Sequence, residues 1–353
     1  MLGRVPNQPR LQGAPLPTIR DVARLAGVTK TTASDALQGK GRVSKETRAK
    51  VEAASEKLGY MPHAGARDLT RQRTDVIGLL VGDFFDPFSA EFTGYVEQHA
   101  AARGFRVLLA TAGPDLRDGE AAISNLLEHR VAALILIAYA GDDARLRSLG
   151  LHTHIVSIGY NGGVGTSIGL DDVTGARFAA EHLLDLGHTR IAYVSGPILT
   201  PATDVARIAG YRAGLRAAEI DPPKSFLCSV GPRSDPDRMK PVEELLTSRR
   251  RPTAIFAASD ITAIEVMSCA YELGLRVPND LSVVGFDDML LAGVPMISLT
   301  TIAQPSDELA QCSIKAVVDR LEGKKPKPVL FEPRLIVRKS TAPPLGLAGH
   351  EAS

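Results

Sequence analysis

Residues 18–62 read TIRDVARLAGVTKTTASDALQGKGRVSKETRAKVEAASEKLGYMP, and the architecture of the chain is decided from this stretch outward. Thr18-Ile19-Arg20-Asp21 has the Ser/Thr-x-x-acid form of a capping box, and apolar Val22, Leu25 and Ala26 follow at helical spacing. Gly27 can take a positive φ and ends that helix, and Thr29 then caps a second one with Ala33, Ala36 and Leu37 on its apolar side. Ser44 caps a third helix, with Val51, Ala54 and Leu58 as its stripe and Gly59 as its stop. The small Ala23 and Ala33 let the first two helices approach closely. Lys30, Thr31, Thr32, Ser34 and Asp35 then point away from that contact, and short polar side chains on one helix suit base edges and phosphates.

Charge supports the same reading. The formal net charge of the 353 residues is only +1, but residues 1–73 hold 14 Lys and Arg against six acids, or +8, leaving 27 against 34, or −7, for the other 280. A basic head is joined to an acidic body. With 44% hydrophobic residues, 23% charged residues and no apolar run near the roughly 18 residues of a membrane span, the chain is expected to be globular and multi-unit, with no membrane partner. Three widely spaced cysteines, Cys228, Cys269 and Cys312, make neither a disulfide framework nor a metal pair, which fits a reducing cytoplasm. The start, MLGRVPNQPRLQGAPLPT, lacks the apolar stretch of a secretory signal and is expected to be a disordered tail over residues 1–17.

The string at 18–62 resembles the DNA-binding domain of the LacI/GalR family of bacterial transcription regulators, down to its third helix and Gly-Tyr-x-Pro end. The resemblance implies a helix-turn-helix domain over 18–61 whose second helix lies in the major groove, with Lys30, Thr31, Thr32, Ala33 and Ser34 at base edges or phosphates. It places Thr18, Gln38, Arg42, Ser44, Thr47 and Tyr60 on the backbone. Asp35 stands where family members usually carry Arg. A carboxylate cannot pair bidentately with guanine, although it can accept from cytosine N4, so the operator sequence stays open. Residues 62–74, beginning PHAGARDLTRQR, resemble the family's hinge helix. That likeness implies that Leu69, beside Ala66, wedges into the minor groove and bends the DNA, while Gly65 weakens the isolated helix; Leu69 as an ordinary linker residue is the alternative.

Beyond Asp75, short apolar β-rich runs alternate with helical patterns. VIGLLV at 76–81, FRVLLA at 105–110 and ALILI at 133–137 are separated by helices over about 87–103 and 118–129. HIVSIG, IAYVSG, TAIFAAS and LSVVGFDD continue the rhythm, with helices over 172–186, 204–218 and 261–273. Such alternation means βαβ units and parallel sheets, and two series mean two lobes. Ligands in these folds sit beyond the carboxyl ends of the strands.

This body also resembles the LacI family and the type I periplasmic sugar-binding proteins, through FFDPFSAEFTGYVEQHAAARGF, DDVTGARFAAEHLLDLGHTRIAYVSGP, ARIAGY, PTAIFAASD, GLRVPNDLSVVGFDD and LTTIAQP. The fold implied is a small all-α head with a hinge helix, followed by an α/β two-lobed periplasmic-binding-protein-like domain with parallel sheets. An effector-binding and dimerisation domain is expected over 75–340, with lobe 1 at about 75–162 and 294–323, lobe 2 at about 163–293 and 324–340, and a flexible tail over 341–353. The match carries effector contacts onto Asp86, Phe88, Ser89, Arg207, Ser259, Asp260 and Asp287, with Tyr139 and Tyr160 at strand ends as rim candidates. Carboxylate and guanidinium bind hydroxyl pairs in bidentate fashion, and an aromatic ring covers an apolar face. Asp260 can alternatively be a helix N-cap, and Arg207 an ion pair within its lobe.

No enzyme signature survives. Gly165-Thr166-Ser167-Ile168-Gly169 has the Gly-x-Ser-x-Gly form, but its flanks read as a glycine-rich loop and not as the strand and helix of a nucleophile elbow. His152-x-His154 lacks further metal ligands. The expectation is a non-enzymatic, cytoplasmic, homodimeric transcription regulator without a cofactor. It would be a repressor on a palindromic double-stranded DNA operator, controlled by a small polar metabolite, a sugar. A purine- or nucleoside-responsive regulator, or an activator of the same architecture, is the alternative.

Overall fold

The computed structural model describes residues 17–41, 43–60, 74–113, 118–137, 143–150, 153–159, 164–196, 201–232 and 234–345. They form two compact units, the second starting at Thr74. Arg42, the segment 61–73 with Leu69, Tyr139 and Tyr160 lie outside the described residues, as do the expected tail up to residue 16 and His152.

In the head, α1 (Ile19–Ala26), α2 (Lys30–Leu37) and α3 (Lys45–Leu58) follow the spacing of the sequence. The Asp21 carboxylate accepts from Thr18 N at 2.9 Å, while Thr29 and Ser44 accept from Thr32 N and Thr47 N. Gly27 and Gly59 adopt φ of 67° and 60°, the left-handed conformation that stops a helix without steric cost. The core is Val22, Ala23, Ala33, Ala36, Val51 and Ala54, so mostly methyl groups hold the three helices together. Ala33 has no exposed surface and belongs to this core. Its expected place at the DNA is therefore corrected: it packs α2 onto α1 and α3.

In the body, β1 (Val76–Val81), β2 (Arg106–Thr111), β3 (Ala133–Ile137), β4 (His154–Ile158), β5 (Thr166–Leu170) and β11 (Val329–Phe331) form one sheet in the order β11-β5-β4-β3-β1-β2. The second sheet contains β6 (Ile191–Ser195), β7 (Leu227–Ser229), β8 (Ala254–Ala257), β9 (Ser282–Asp287), β10 (Thr300–Ala303) and β12 (Arg334–Ile336), ordered β12-β10-β9-β8-β6-β7. All pairings are parallel except β10 with β12. Helices α4 (Pro87–Ala101), α5 (Gly119–Glu128), α6 (Asp143–Gly150) and α11 (Ser306–Leu321) belong to the first lobe. The second lobe holds α7 (Asp172–Asp185), α8 (Pro201–Ala217), α9 (Lys240–Thr247) and α10 (Asp260–Glu272).

The two lobes are as expected, but the crossings are not. β5 belongs to the first sheet, so the chain leaves that lobe after Leu170 rather than near 162. The segment 165–169 lies largely on this strand, and Ser167 sits in the strand interior, where no elbow forms. β10 pairs with β9, so the return crossing lies at 304–305 rather than near 294, and α11 then packs onto the first lobe. The last crossing follows β11, near 332 rather than 323. The tail boundary also moves: Ala342 N donates to Ser282 Oγ at 3.0 Å and Thr341 Oγ1 bonds His182 Nε2 at 3.0 Å, so residues 341 and 342 are anchored.

The tightest helix pairing in the second lobe is α7 against α8. A Cβ built on Gly210 would stand 2.1 Å from Val173 O and 2.8 Å from Ala176 Cβ, and one on Gly214 would stand 2.8 Å from Ala180 Cβ. Only glycine lets the backbones come this close. Gly210→Ala should therefore lower the unfolding free energy by about 1–3 kcal/mol in a denaturant titration, the strain outweighing a helix-propensity gain of about 1 kcal/mol.

Candidate functional site

Two surfaces carry the expected functional residues. In the head, Lys30, Thr31, Ser34, Asp35 and Gln38 recur one turn apart along α2, opposite buried Ala33 and Ala36. Lys30 and Thr31 are exposed; Thr32, Ser34, Asp35 and Gln38 are half-buried. Gln38 Nε2 donates to Ser34 Oγ at 3.1 Å, and this bond steadies both side chains at the end of α2. Thr18, Thr29 and Ser44 stand at three helix N-termini, where backbone N–H groups also attract phosphate. Thr47 hydrogen-bonds Ser44, and Tyr60 packs against the core while remaining partly open.

In the body, a cleft opens at the carboxyl ends of both sheets, where parallel α/β folds bind ligands. The first lobe contributes Asp86, Phe88, Ser89, Ile137 and Ile158, and the second Asp172, Arg207, Ser259, Ile261 and Asp287. Asp86 caps α4: its carboxylate accepts from Ser89 N at 3.1 Å and Ser89 Oγ at 2.9 Å. Burial nevertheless pushes its pKa above the ordinary carboxylate value, partly offset by Ser89. Phe88 enters the lining with its ring centroid 6.2 Å from that of Phe92.

The opposite wall is built on Arg207, which is 3% exposed. Its Nε donates to Asp172 Oδ1 at 2.8 Å, Nη1 donates to Ala258 O and lies 3.8 Å from Asp287 Oδ1, and the guanidinium carbon sits 3.5 Å over the Phe286 ring. Burial opposes this charge, but Asp172 and then Asp287 outweigh it and raise the guanidinium pKa. For Asp287 burial dominates in the upward direction; Arg207 works against it, while Asp260 and Asp86 add to it. Asp287 also holds φ of 121°, a left-handed conformation strained for a non-glycine residue, and accepts from Gln304 Nε2 at 2.6 Å. Gln304 lies in the second crossing, so the carboxylate is tied to the chain that joins the lobes. Across the cleft mouth, Leu290 N of the second lobe donates to Glu91 Oε2 on α4 at 3.0 Å.

Of the expected effector residues, Asp86, Phe88, Ser89, Arg207, Ser259 and Asp287 are brought together. Asp260 is not among them. It has no exposed surface, its carboxylate accepts from Met289 N at 2.9 Å and Thr301 Oγ1 at 2.5 Å, and burial pushes its pKa up to about 7. It fixes the loop after β9. Nor is it the N-cap of α10, because Ser259 takes that place and accepts from Thr262 N. Arg207 is both things at once, an ion pair within its lobe and a cleft wall.

Asp172 and Gln304 were missed by sequence reasoning. The signal for Asp172 was the pair Asp171-Asp172: Asp171 alone serves as N-cap, accepting from Thr174 N at 3.0 Å, which leaves the second acid to meet Arg207. Gln304 has no local signal, since only the crossing brings it to Asp287.

With this geometry in place, comparison with known proteins is informative. Residues 18–63 match the bacterial regulatory proteins of the lacI family, and residues 180–341 match a periplasmic binding protein-like domain. The HTH-type transcriptional repressor PurR of Klebsiella pneumoniae is 32% identical over 332 residues, covering 92% of this chain and 97% of that protein. The lac repressor dimer bound to operator and the anti-inducer ONPF superposes with a TM-score of 0.78 at 29% identity, over 92% of this chain and 99% of that one. The transcriptional regulator CelR in complex with cellobiose gives a TM-score of 0.66 at 31% identity, with the same coverage. These relatives are regulators and not enzymes. The chain belongs to the lacI family of bacterial regulatory proteins and has the architecture of its transcriptional repressors.

Proposed function

We propose that the protein is a cytoplasmic repressor that binds a palindromic operator as a homodimer and is controlled by a sugar, or a similarly small polar metabolite, held between its lobes. The observation that carries this reading is the cleft itself. Asp86 and Ser89 from one lobe face Arg207 and Asp287 from the other, with Phe88 to cover an apolar ring face. The similarity to a cellobiose-bound regulator supports a sugar. The aromatic ring of Phe88 favours, as a second reading, a nucleobase or nucleoside stacked upon it.

Effector control needs only that the ligand prefer one lobe arrangement. Ligand bridging the two walls changes the angle between lobes, and with it the spacing of the two segments 62–74 of a dimer. Leu69 then gains or loses its place in the minor groove. On DNA, Lys30, Thr31, Thr32, Ser34 and Asp35 read base edges, while Thr18, Gln38, Arg42, Ser44, Thr47 and Tyr60 engage the backbone.

Footprinting of the purified protein on the DNA upstream of its own gene should protect a two-fold symmetric site. Affinity should fall steeply with added salt, because two basic heads displace counterions, and failure to protect any palindrome at low salt would refute the reading. Asp287→Ala should abolish the rise in melting temperature caused by an effector while operator affinity is retained. Loss of operator binding in that variant would place Asp287 in the frame of the fold and not at the ligand.

A further inference from the structure

Charge bookkeeping inside the cleft narrows what it can accept. Its lining holds three carboxylates, Asp86, Asp172 and Asp287, and one cation, Arg207. No lysine or histidine faces it among the described residues. Arg207 is engaged through two of its three nitrogens, Nε with Asp172 and Nη1 with Ala258 O, with Asp287 3.8 Å from Nη1, and its face lies on Phe286. Two further acids stand behind the walls, Asp83 beside Asp86 and Asp260 beside Asp287, while Arg338 is paired with Asp288 at 2.6 Å. Among the described residues the surroundings therefore deepen the negative field and offer no second cation.

The placement matters as much as the count. Asp86 belongs to the first lobe and Asp287 to the second, and the charge of Asp86 adds to the burial that makes Asp287 harder to ionise. Bringing the lobes together drives like charges toward one another unless something between them donates hydrogen bonds to both. Accepting from hydroxyl or N–H groups is what a carboxylate does well, whereas a phosphate or carboxylate ligand has only acceptors to offer.

From this arrangement we propose that the effector is an uncharged, donor-rich molecule that bridges Asp86 and Asp287, and that the cleft rejects phosphorylated and carboxylated analogues of the same compound. The inference rests on the cleft being the effector site and deepens that reading. The ring or C–H face of the ligand lies toward Phe88 and the aliphatic lining of Ile137, Ile158 and Ile261. Metabolic signals that differ only by a phosphate are thereby told apart by repulsion rather than by a missing contact.

The test uses the full-length protein and matched pairs in isothermal titration: D-ribose and D-ribose 5-phosphate, D-glucose and D-glucose 6-phosphate, adenosine and adenosine monophosphate. Where a neutral member binds, its phosphorylated partner should bind at least about a hundredfold more weakly, the scale of like-charge repulsion in a partly buried site. A phosphorylated compound binding as tightly as its neutral partner would overturn the proposal. Arg207→Ala and Asp287→Ala separate the two layers: if neither weakens binding of the neutral compound, the cleft assignment fails rather than the charge selectivity.

A second measurement needs no ligand. Asn at position 86 keeps the carbonyl oxygen that caps α4 but cannot ionise. A buried carboxylate whose pKa is raised loses stability as pH climbs from its unfolded value toward its folded one. Asp86→Asn should therefore match the parent protein near pH 4 and melt about 2–4 °C higher at pH 8. An unchanged or lower melting temperature at pH 8 would show that the Asp86 carboxylate bears no cost of ionisation in the cleft, and would overturn the proposal.

Discussion

A guanidinium buried at 3% exposure cannot exist without partners, and the second lobe is arranged around that requirement at Arg207. Desolvating a lone cation costs far more than a domain's net stability, and breaking a buried pair typically costs about 3–5 kcal/mol. Three separate elements must therefore converge on this side chain: the first turn of α7 with Asp172, the end of β8 with Ala258 O, and the end of β9 with Phe286 and Asp287. The close approach of α7 and α8 through Gly210 and Gly214 holds Asp172 and Arg207 together. Structure and function share the interaction. The ion-pair network that makes the lobe fold as a unit also orients the carboxylate that faces the ligand.

The first lobe meets this wall with a simpler device. Asp86 is a helix N-cap held by Ser89, and its burial in a cleft lined by isoleucines pushes its carboxyl above the usual carboxylate range. The two walls are joined where the chain crosses, and Gln304 connects one crossing directly to Asp287. Asp287 is thereby tied to one of the segments on which the relative position of the two lobes depends. The strained φ of Asp287 is held by these neighbours.

What could be read from the sequence follows the range of the interactions concerned. The head was legible almost throughout, because caps at Thr18, Thr29 and Ser44 and stops at Gly27 and Gly59 are local signals. Its one misplacement, Ala33, came from the family resemblance, which carried it to the DNA although the helical spacing already put it on the apolar side that packs against the neighbouring helices. The alternation of strands and helices in the body was equally plain. The crossings were not, because only their pairing with β4 and β9 assigns β5 and β10 to their sheets, and nothing in the two short segments themselves marks which lobe they complete. In the cleft, Asp86, Arg207 and Asp287 were reached through the family resemblance, position by position, and the structure brings them together. Asp260 misled because an acid at a helix start reads the same whether it faces ligand or locks a loop, and Gln304 was invisible because nothing near it in sequence announces Asp287.

The central claim is that occupancy of the cleft and occupancy of the operator are coupled through the arrangement of the lobes. Thermodynamic linkage makes this testable with one closed cycle. The affinity of the full-length protein for a compound that raises its melting temperature should be measured by titration without DNA and with saturating operator. The account predicts that the two affinities differ, and that their ratio equals the ratio of operator affinities measured with and without the same compound. Identical affinity on and off the operator would contradict it.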